Sequence, residues 1–184
     1  MEIVCAHCLL RPLIPSDAAS LARHANDRDV WLNLRDRFPH PYTLTDAESY
    51  IGVVAGRAEQ FSFGIVIDGN AVGSISLIPG ADIARRTAEL GYWLGRPYWG
   101  RGVMTNAVGA VTNYAFDVLK LTRVFAVPFG HNTASCRVLE RTGYAKEALM
   151  RRSAVKAGEV LDQVLYARTD DMPGFVAVAV AHRD

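Results

Sequence analysis

Cysteine is scarce in this chain: three residues in 184, at positions 5, 8 and 136, which do not make a disulfide framework. Cys5-Ala6-His7-Cys8 has the outline of half a zinc site, but no second pair of that spacing follows to complete a ligand set. On one alternating strand Cys5 and His7 would share a face and Cys8 would take the other. The thiols are therefore expected as small core hydrophobes, and no metal is expected. Excess charge of one sign is lacking too. Twenty Lys and Arg stand against nineteen Asp and Glu, a formal charge of +1, which argues against a dedicated nucleic-acid binder. No apolar run is long enough to cross a bilayer, and no basic stretch leads into an apolar one as in a secretory signal. By elimination the expected setting is cytoplasmic, with neither membrane nor nucleic acid as a direct partner. Gly- or Ser-rich linkers and internal repeats are also missing, so one domain is expected over 1–170. In the remaining tail, 171–184, the alternation over Phe175–Ala181 fits a docked edge strand and a frayed end equally.

What the chain does have is a hydrophobic half and 21% charged residues, the balance of a compact α/β domain. Ile3–Leu10 reads as a first strand, closed by two prolines, and Ser16 and Asp17 are candidate caps for a helix to about Asn26. Thr45 with Glu48 has capping-box spacing for a second helix through Ala58. The period then shortens. Phe61–Ile67, Ala71–Ile78 and Thr87–Leu94 are β-rich runs, the first two joined by Asp68-Gly69-Asn70, which has hairpin-turn chemistry. A helix over Val103–Leu119, a strand over Thr122–Val127 and a short helix over Thr133–Arg141 follow. Two last strands, Tyr144–Ser153 and Val160–Arg168, flank Ala157-Gly158.

The chemistry concentrates between Glu89 and Ala107, where a strand passes through a glycine-bearing turn into a long helix. A helix start leaves backbone N–H groups unpaired and carries partial positive charge, which suits phosphate oxygens. Gly100 and Gly102 permit a close backbone approach there. The segment is neither a P-loop, for want of the Gly-Lys-Ser/Thr ending, nor a dinucleotide GxGxxG, because Thr105 stands where the third glycine or alanine belongs. A tight strand-to-helix connection with no anion bound is the alternative reading of the same glycines.

Four motifs together resemble the GNAT acyltransferases, specifically the RimJ/RimL-like branch that includes ribosomal-protein alanine acetyltransferases. They are Arg37–Tyr42 with Thr45-Asp46-Ala47, the strand Glu89-Leu90-Gly91-Tyr92-Trp93, the loop Tyr98–Thr105, and Asn132–Tyr144. They span roughly positions 8 to 168, in the family's order and at its spacing. The resemblance implies a mixed α/β (α+β) fold: a central, mixed and largely antiparallel twisted sheet flanked by helices. It also implies that two parallel strands, Thr87–Leu94 and Thr122–Val127, splay apart around acetyl-CoA (coenzyme A) as co-substrate. Arg101, Gly102, Val103, Met104 and Thr105 match the pyrophosphate loop, and Leu94, Asn132 and Ser135 fall with the cofactor side. Trp99 stands where relatives often carry Gln or Arg, and Met104 where they carry Gly or Ala. Arg96 or Arg101 is the candidate for a direct phosphate contact, an exposed arginine without one being the alternative.

For the reaction, Glu89 is the candidate base, with a strand-surface acid tied to Arg85 or Arg86 as the plainer reading. Many relatives use a Tyr as acid on the thiolate side; Leu139 occupies that position, leaving Ser135, another Tyr or water. Asn132 reads as a helix cap, a pantetheine contact, or both. Trp31, Phe38 and Tyr42, with His40, are candidates to line an acceptor pocket or simply to cover the core. The implied activity is acetyl transfer to the primary amine of a protein N-terminus or a small molecule. A catalytically silent acyl-CoA-binding module is the alternative that Trp99, Met104 and Leu139 leave open. Monomer and homodimer are equally compatible with the sequence.

Overall fold

A computed structural model describes residues 1–56 and 61–174 and the backbone of 182–183. Among the described residues, nine strands form one sheet in the order β7-β8-β6-β5-β4-β3-β2-β1-β9. The N-terminal strands are β1 (Glu2–Val4) and β2 (Leu9–Arg11), with α1 (Ala18–Ala25), α2 (Arg28–Trp31) and α3 (Leu44–Ala55) after them. The centre of the sheet is β3 (Phe61–Ile67), β4 (Asn70–Pro79) and β5 (Thr87–Leu94). Then come α4 (Val103–Asp117), β6 (Arg123–Ala126), α5 (Thr133–Arg141), β7 (Ala145–Lys156), β8 (Glu159–Thr169) and β9 (His182–Arg183). Neighbouring strands are antiparallel except β5 and β6, which run parallel.

The turns follow from residue chemistry. Ile67 pairs with Asn70 around Asp68 and Gly69, at φ 48° and 77°, and Lys156 pairs with Glu159 around Ala157 and Gly158, at φ 51° and 84°. Both are two-residue turns with positive φ at each central position, whose twist matches that of the strands they join. Two apolar layers cover the sheet. Leu21, Ala25 and Ile51 from α1 and α3 pack with Leu13, Val66 and Ala71 on one side. On the other, α4 buries Val103, Ala107, Val108 and Val111 against Ile3, Leu10, Ile75, Leu90 and Val124. Each fully buried aliphatic side chain there contributes about 1.5–3 kcal/mol.

Five expectations change. Ile3–Leu10 is two strands, not one, because Cys5 N–H bonds to Cys8 C=O at 2.9 Å and Ala6-His7 reverses the chain. Cys5 and Cys8 thus become cross-strand neighbours on one face rather than occupants of opposite faces. Asp17 does not cap α1: its buried carboxylate takes Arg11 Nη1 and Nη2 at 2.7 and 2.9 Å and the N–H of Ile14 at 2.9 Å. The cap of α3 is Thr43, with Asp46 returning the bond to the Thr43 N–H at 2.8 Å, two residues ahead of the expected box. The helix expected through Ala58 ends at Ala55; Ala58 itself, like the alternating run Phe175–Ala181, lies outside the described residues.

The feature that positions a site is the parting of β5 and β6. Their pairing covers only Thr87–Glu89 against Arg123–Phe125. Beyond it β5 continues to Leu94, while the chain after β6 reaches Pro128 and leans toward β8, Val164 N–H bonding to Pro128 C=O at 2.9 Å.

Candidate active site

A cavity of about 970 Å³ opens where these strands separate. Its walls are the free end of β5, the turn into α4, the chain leaving β6, the start of α5, and the segment between α2 and α3.

The turn is shaped by its glycines. Gly100 and Gly102 take φ of 73° and 76°, left-handed values that side chains with a Cβ resist. Trp99 Nε1 donates to the Leu94 carbonyl at 2.7 Å and pins the turn to the end of β5. Gly102 is the N-cap of α4 and offers no side-chain cap, so the first-turn N–H groups of Val103, Met104 and Thr105 have no cap acceptor on it. Gly102, Val103, Met104, Thr105 and Leu94 all line the cavity. Met104 is buried in the core below it, which accounts for a large apolar residue at that place in the loop.

The two arginines of this region lie elsewhere. Arg96 is held by Asp29 at 2.9 Å, with Asp27 at 3.9 Å, and Arg101 lies over the Tyr98 ring at 5.9 Å. Neither is in the cavity wall.

Glu89 reaches the cavity from β5 and is paired with Arg35, whose Nη2 donates to Oε1. That partner comes from the segment after α2, not from Arg85 or Arg86, which donate to the carbonyls of Asp82 and Lys120. Ser135 also lines the cavity, and its N–H is accepted by Asn132 Oδ1 at 3.1 Å, so Asn132 caps α5 while facing the cavity. Ser135 Oγ lies 2.7 Å from the Tyr92 hydroxyl. Burial pushes the Tyr92 phenol well above its ordinary range, although the bond to Ser135 works the other way, so it holds its proton at neutral pH. Tyr92, like Arg35 as the partner of Glu89, is a residue whose place in the site sequence reasoning missed. Alternation correctly sends its side chain to the face opposite Glu89, but only the position of α5 shows that it meets Ser135 there. Leu139 is fully buried, and the Tyr144 hydroxyl is spent on Thr112 Oγ at 2.7 Å in the core.

On the acceptor side, Phe38 and Tyr42 line the cavity and pack on each other with ring centroids 4.7 Å apart; Phe38 also meets Trp93 edge-on. Trp31 is not in the cavity wall. It stacks on His40, and Lys156 Nζ from the tip of the β7–β8 hairpin lies 3.9 Å from its ring centroid and 2.9 Å from Asp36 Oδ1.

A sheet opened at one parallel pair, with an uncapped helix start at the opening, is matched by comparison with known proteins. The family model of the acetyltransferase (GNAT) domain covers residues 7–145. The chain belongs to the GNAT acyltransferases. It is 33% identical over 159 residues to "Probable N-acetyltransferase YjcK" of Bacillus subtilis (strain 168), covering 78% of this chain and 83% of that protein. With the ribosomal protein uS5-alanine N-acetyltransferase of Escherichia coli (strain K12) it shares 33% over 87 residues, 46% of this chain and 45% of that one. Among solved structures, Mycobacterium smegmatis RimJ in complex with CoA-disulfide matches with a TM-score of 0.82 at 24% identity, over 92% of this chain and 87% of that one. Ribosomal-protein acetyltransferases are thus among the proteins that this GNAT chain resembles. Its parted β5 and β6 are the family's fold, seen here with a tryptophan-pinned turn and an arginine-paired acid.

Proposed function

We propose that this acyltransferase moves an acetyl group from acetyl-CoA directly to the primary amine of a protein N-terminus or an amine-bearing small molecule, with Glu89 as base and the Tyr92–Ser135 pair on the thiolate side. The observation that carries the reading is that Glu89, the Ser135–Tyr92 hydroxyls and the uncapped start of α4 all face one cavity. The residues present fit the co-substrate: left-handed glycines expose backbone, and first-turn N–H groups meet phosphate oxygens without a competing side-chain cap. Acetyl-CoA, when bound, supplies an activated thioester carbonyl.

The rest falls to the protein. Val103, Met104 and Thr105 would hold the pyrophosphate through their N–H groups, and Asn132 would face the pantetheine arm. Glu89 takes the proton that the amine must shed, directly or through water. Arg35, half-exposed on a loop, pairs with that carboxylate at the cavity until an acceptor arrives. Ser135 donates toward the sulfur, and the Tyr92 hydroxyl reprotonates or supports it in the same chain of hydrogen bonds. No cysteine lies beside an activating base in the cavity, so direct transfer asks less of these residues than a covalent acyl-enzyme.

The pairing of Glu89 with Arg35 and the buried Leu139 also favour a second reading, a module that binds acyl-CoA without turnover. One experiment separates them. Acetyl-CoA consumption is screened over amino acids, polyamines, aminoglycosides and short peptides of varied N-terminus, alongside calorimetry. Binding with consumption supports transfer and names the acceptor class. Binding with no consumption for any acceptor supports the silent module. Absence of binding at millimolar acetyl-CoA defeats both.

A further inference from the structure

Outside the cavity, the two cysteines of the N-terminal hairpin have a geometry that the acetyl-transfer chemistry does not use. We infer that Cys5 and Cys8 form a reversible dithiol–disulfide pair, closed by a two-electron oxidant such as hydrogen peroxide, and that closing it weakens acyl-CoA binding at the Gly102 turn.

The register runs Ile3 against Leu10 and Val4 against Leu9, so the next rung is Cys5 against Cys8, closed by the 2.9 Å bond from Cys5 N–H to Cys8 C=O. Opposed residues of such a hydrogen-bonded rung have Cα atoms about 5.5 Å apart. A disulfide bridges about 4.4–6.8 Å. Both side chains lie on the face that carries Ile3 and Leu10 into the α4 side of the core, with Cys5 Sγ 4.0 Å from the Ile3 carbonyl oxygen. Cys5 is half-buried, Cys8 is buried, and both border a second cavity of about 480 Å³ that also has His7 and Arg11 in its wall. A small oxidant thus has a route to the pair.

The environment divides the roles. The neighbouring Cys8 thiol holds Cys5 below its ordinary thiol range, although burial pulls it upward; Cys5, with burial, raises Cys8. Cys5, the more exposed of the two, is the thiol that the oxidant meets first, and it reacts through its thiolate; Cys8, buried beside it, resolves the product. The Cys5 sulfur attacks one peroxide oxygen, the O–O bond breaks, and the departing hydroxide takes a solvent proton to become water, leaving Cys5 as a sulfenic acid. Cys8 sulfur then attacks Cys5 sulfur, the S–O bond breaks, and the Cys8 proton leaves with the oxygen as a second water. The two sulfurs lose two electrons in all and the peroxide gains them. A small dithiol reverses the bond by exchange.

The link to the acyl-CoA turn is His7, one of the two residues between the cysteines. A Cβ built on Gly102 would meet His7 Cδ2 at 3.6 Å and Nε2 at 3.7 Å, so the imidazole lies against the residue that caps α4. A disulfide draws the two Cβ atoms to about 3.8 Å. That retwists the two-residue turn and moves His7 on the loop. This coupling rests on the cofactor reading above; the dithiol chemistry does not.

The test uses the full chain, reduced or treated with hydrogen peroxide, and digested with trypsin without reductant. The Arg11–Pro12 bond resists trypsin, so Met1–Arg23 carries Cys5 and Cys8 without Cys136. That peptide is expected to lose two hydrogens on oxidation and regain them with dithiothreitol. Calorimetric Kd for acetyl-CoA is expected to rise about fivefold and return with reduction. In Cys8→Ser, Cys5 should stop at a sulfenic acid that dimedone traps, and peroxide should no longer change Kd in Cys5→Ser. A peptide that keeps both thiols while Cys136 is oxidised overturns the pair. A disulfide that leaves Kd unchanged overturns the coupling. A reduced protein that binds no acetyl-CoA defeats the cofactor reading and the coupling together, whereas the peptide mass decides the dithiol independently.

Discussion

Two carboxylates tied to arginines illustrate how differently one ion pair can act by position. Glu89 and Arg35 meet at the rim of the cavity, with side-chain exposures of 24% and 53%, where water competes for both charges and the pair is easily opened. Glu89→Gln keeps the shape and removes the proton acceptor. Turnover with the preferred amine is expected to fall about 100-fold or more near neutral pH and less at alkaline pH, where the amine is already neutral. A pH–rate profile that follows the parent at every pH would remove Glu89 from the mechanism. Asp17 and Arg11 instead lie in the core margin, at 5% and 16% exposure. Burial alone would raise the Asp17 carboxyl, but the bonds from Arg11 and the Ile14 N–H and the Arg11 charge outweigh it and hold the group below its usual range. A lowered folded value means that the pair stabilises the fold fully above the unfolded value, about 3.9, and that the contribution is lost as pH falls through the folded one. Asp17→Asn is expected to cost about 1.5–3 kcal/mol at neutral pH. In urea titrations the gap between parent and variant should narrow below about pH 4 and stay level above it. A gap that widens with acid would reverse the sign of the pairing.

At the level of elements, the legible parts were those whose signal is local. The glycine turn, the α4 start at Val103, the α5 limits at Thr133 and Arg141, and both positive-φ hairpins follow from turn chemistry and period. The N-terminal hairpin was not legible, because Ala6-His7 carries none of the Gly, Asn or Pro that mark a reversal and the apolar run continues through it. The α3 cap was misplaced because Thr43-x-x-Asp46 and Thr45-x-x-Glu48 offer overlapping boxes of the same chemistry, and the helix starts at the first. Within the site, Glu89, Ser135 and the turn were found from motifs. Arg35, Tyr92 and the fate of Arg96 depend on contacts between segments 54, 43 and 67 residues apart, which no local pattern reports. The turn itself yields a test. Gly102→Ala forces a left-handed alanine, about 1–2 kcal/mol of strain, and any relaxation moves the first N–H groups of α4. Acetyl-CoA affinity should drop about tenfold or more. Gly69→Ala, at φ 77° with no atom within 4 Å of the added Cβ, imposes comparable strain in a hairpin turn outside the cavity wall and should leave affinity unchanged. Equal effects of the two variants on calorimetric Kd would mean that Gly102 acts only through the fold.

The whole molecule is held as one sheet whose centre is also the site: β5 contributes Leu90 to the core and Glu89 to the cavity from adjacent positions. The opening between β5 and β6 leaves α4 and α5, packed against one another, as the connection across it. Lys156 on the β7–β8 tip reaches back over Trp31 to Asp36, joining the last hairpin to the segment after α2, whose Arg35, Arg37 and Phe38 line the opening. A ligand bound there bridges parts of the sheet from both ends of the chain, and its binding energy should be felt by the fold as a unit. With acetyl-CoA at about 100 times its Kd, the added stability is about 2.7 kcal/mol. For a chain of this size each kcal/mol moves the melting midpoint by about 2–4 °C, giving a rise of about 5–10 °C. Differential scanning calorimetry should show a single transition that moves as a whole. Two transitions, of which acetyl-CoA shifts only one, would mean that the halves of the sheet on either side of the opening unfold separately and that residues 1–170 are not the single cooperative domain proposed for them.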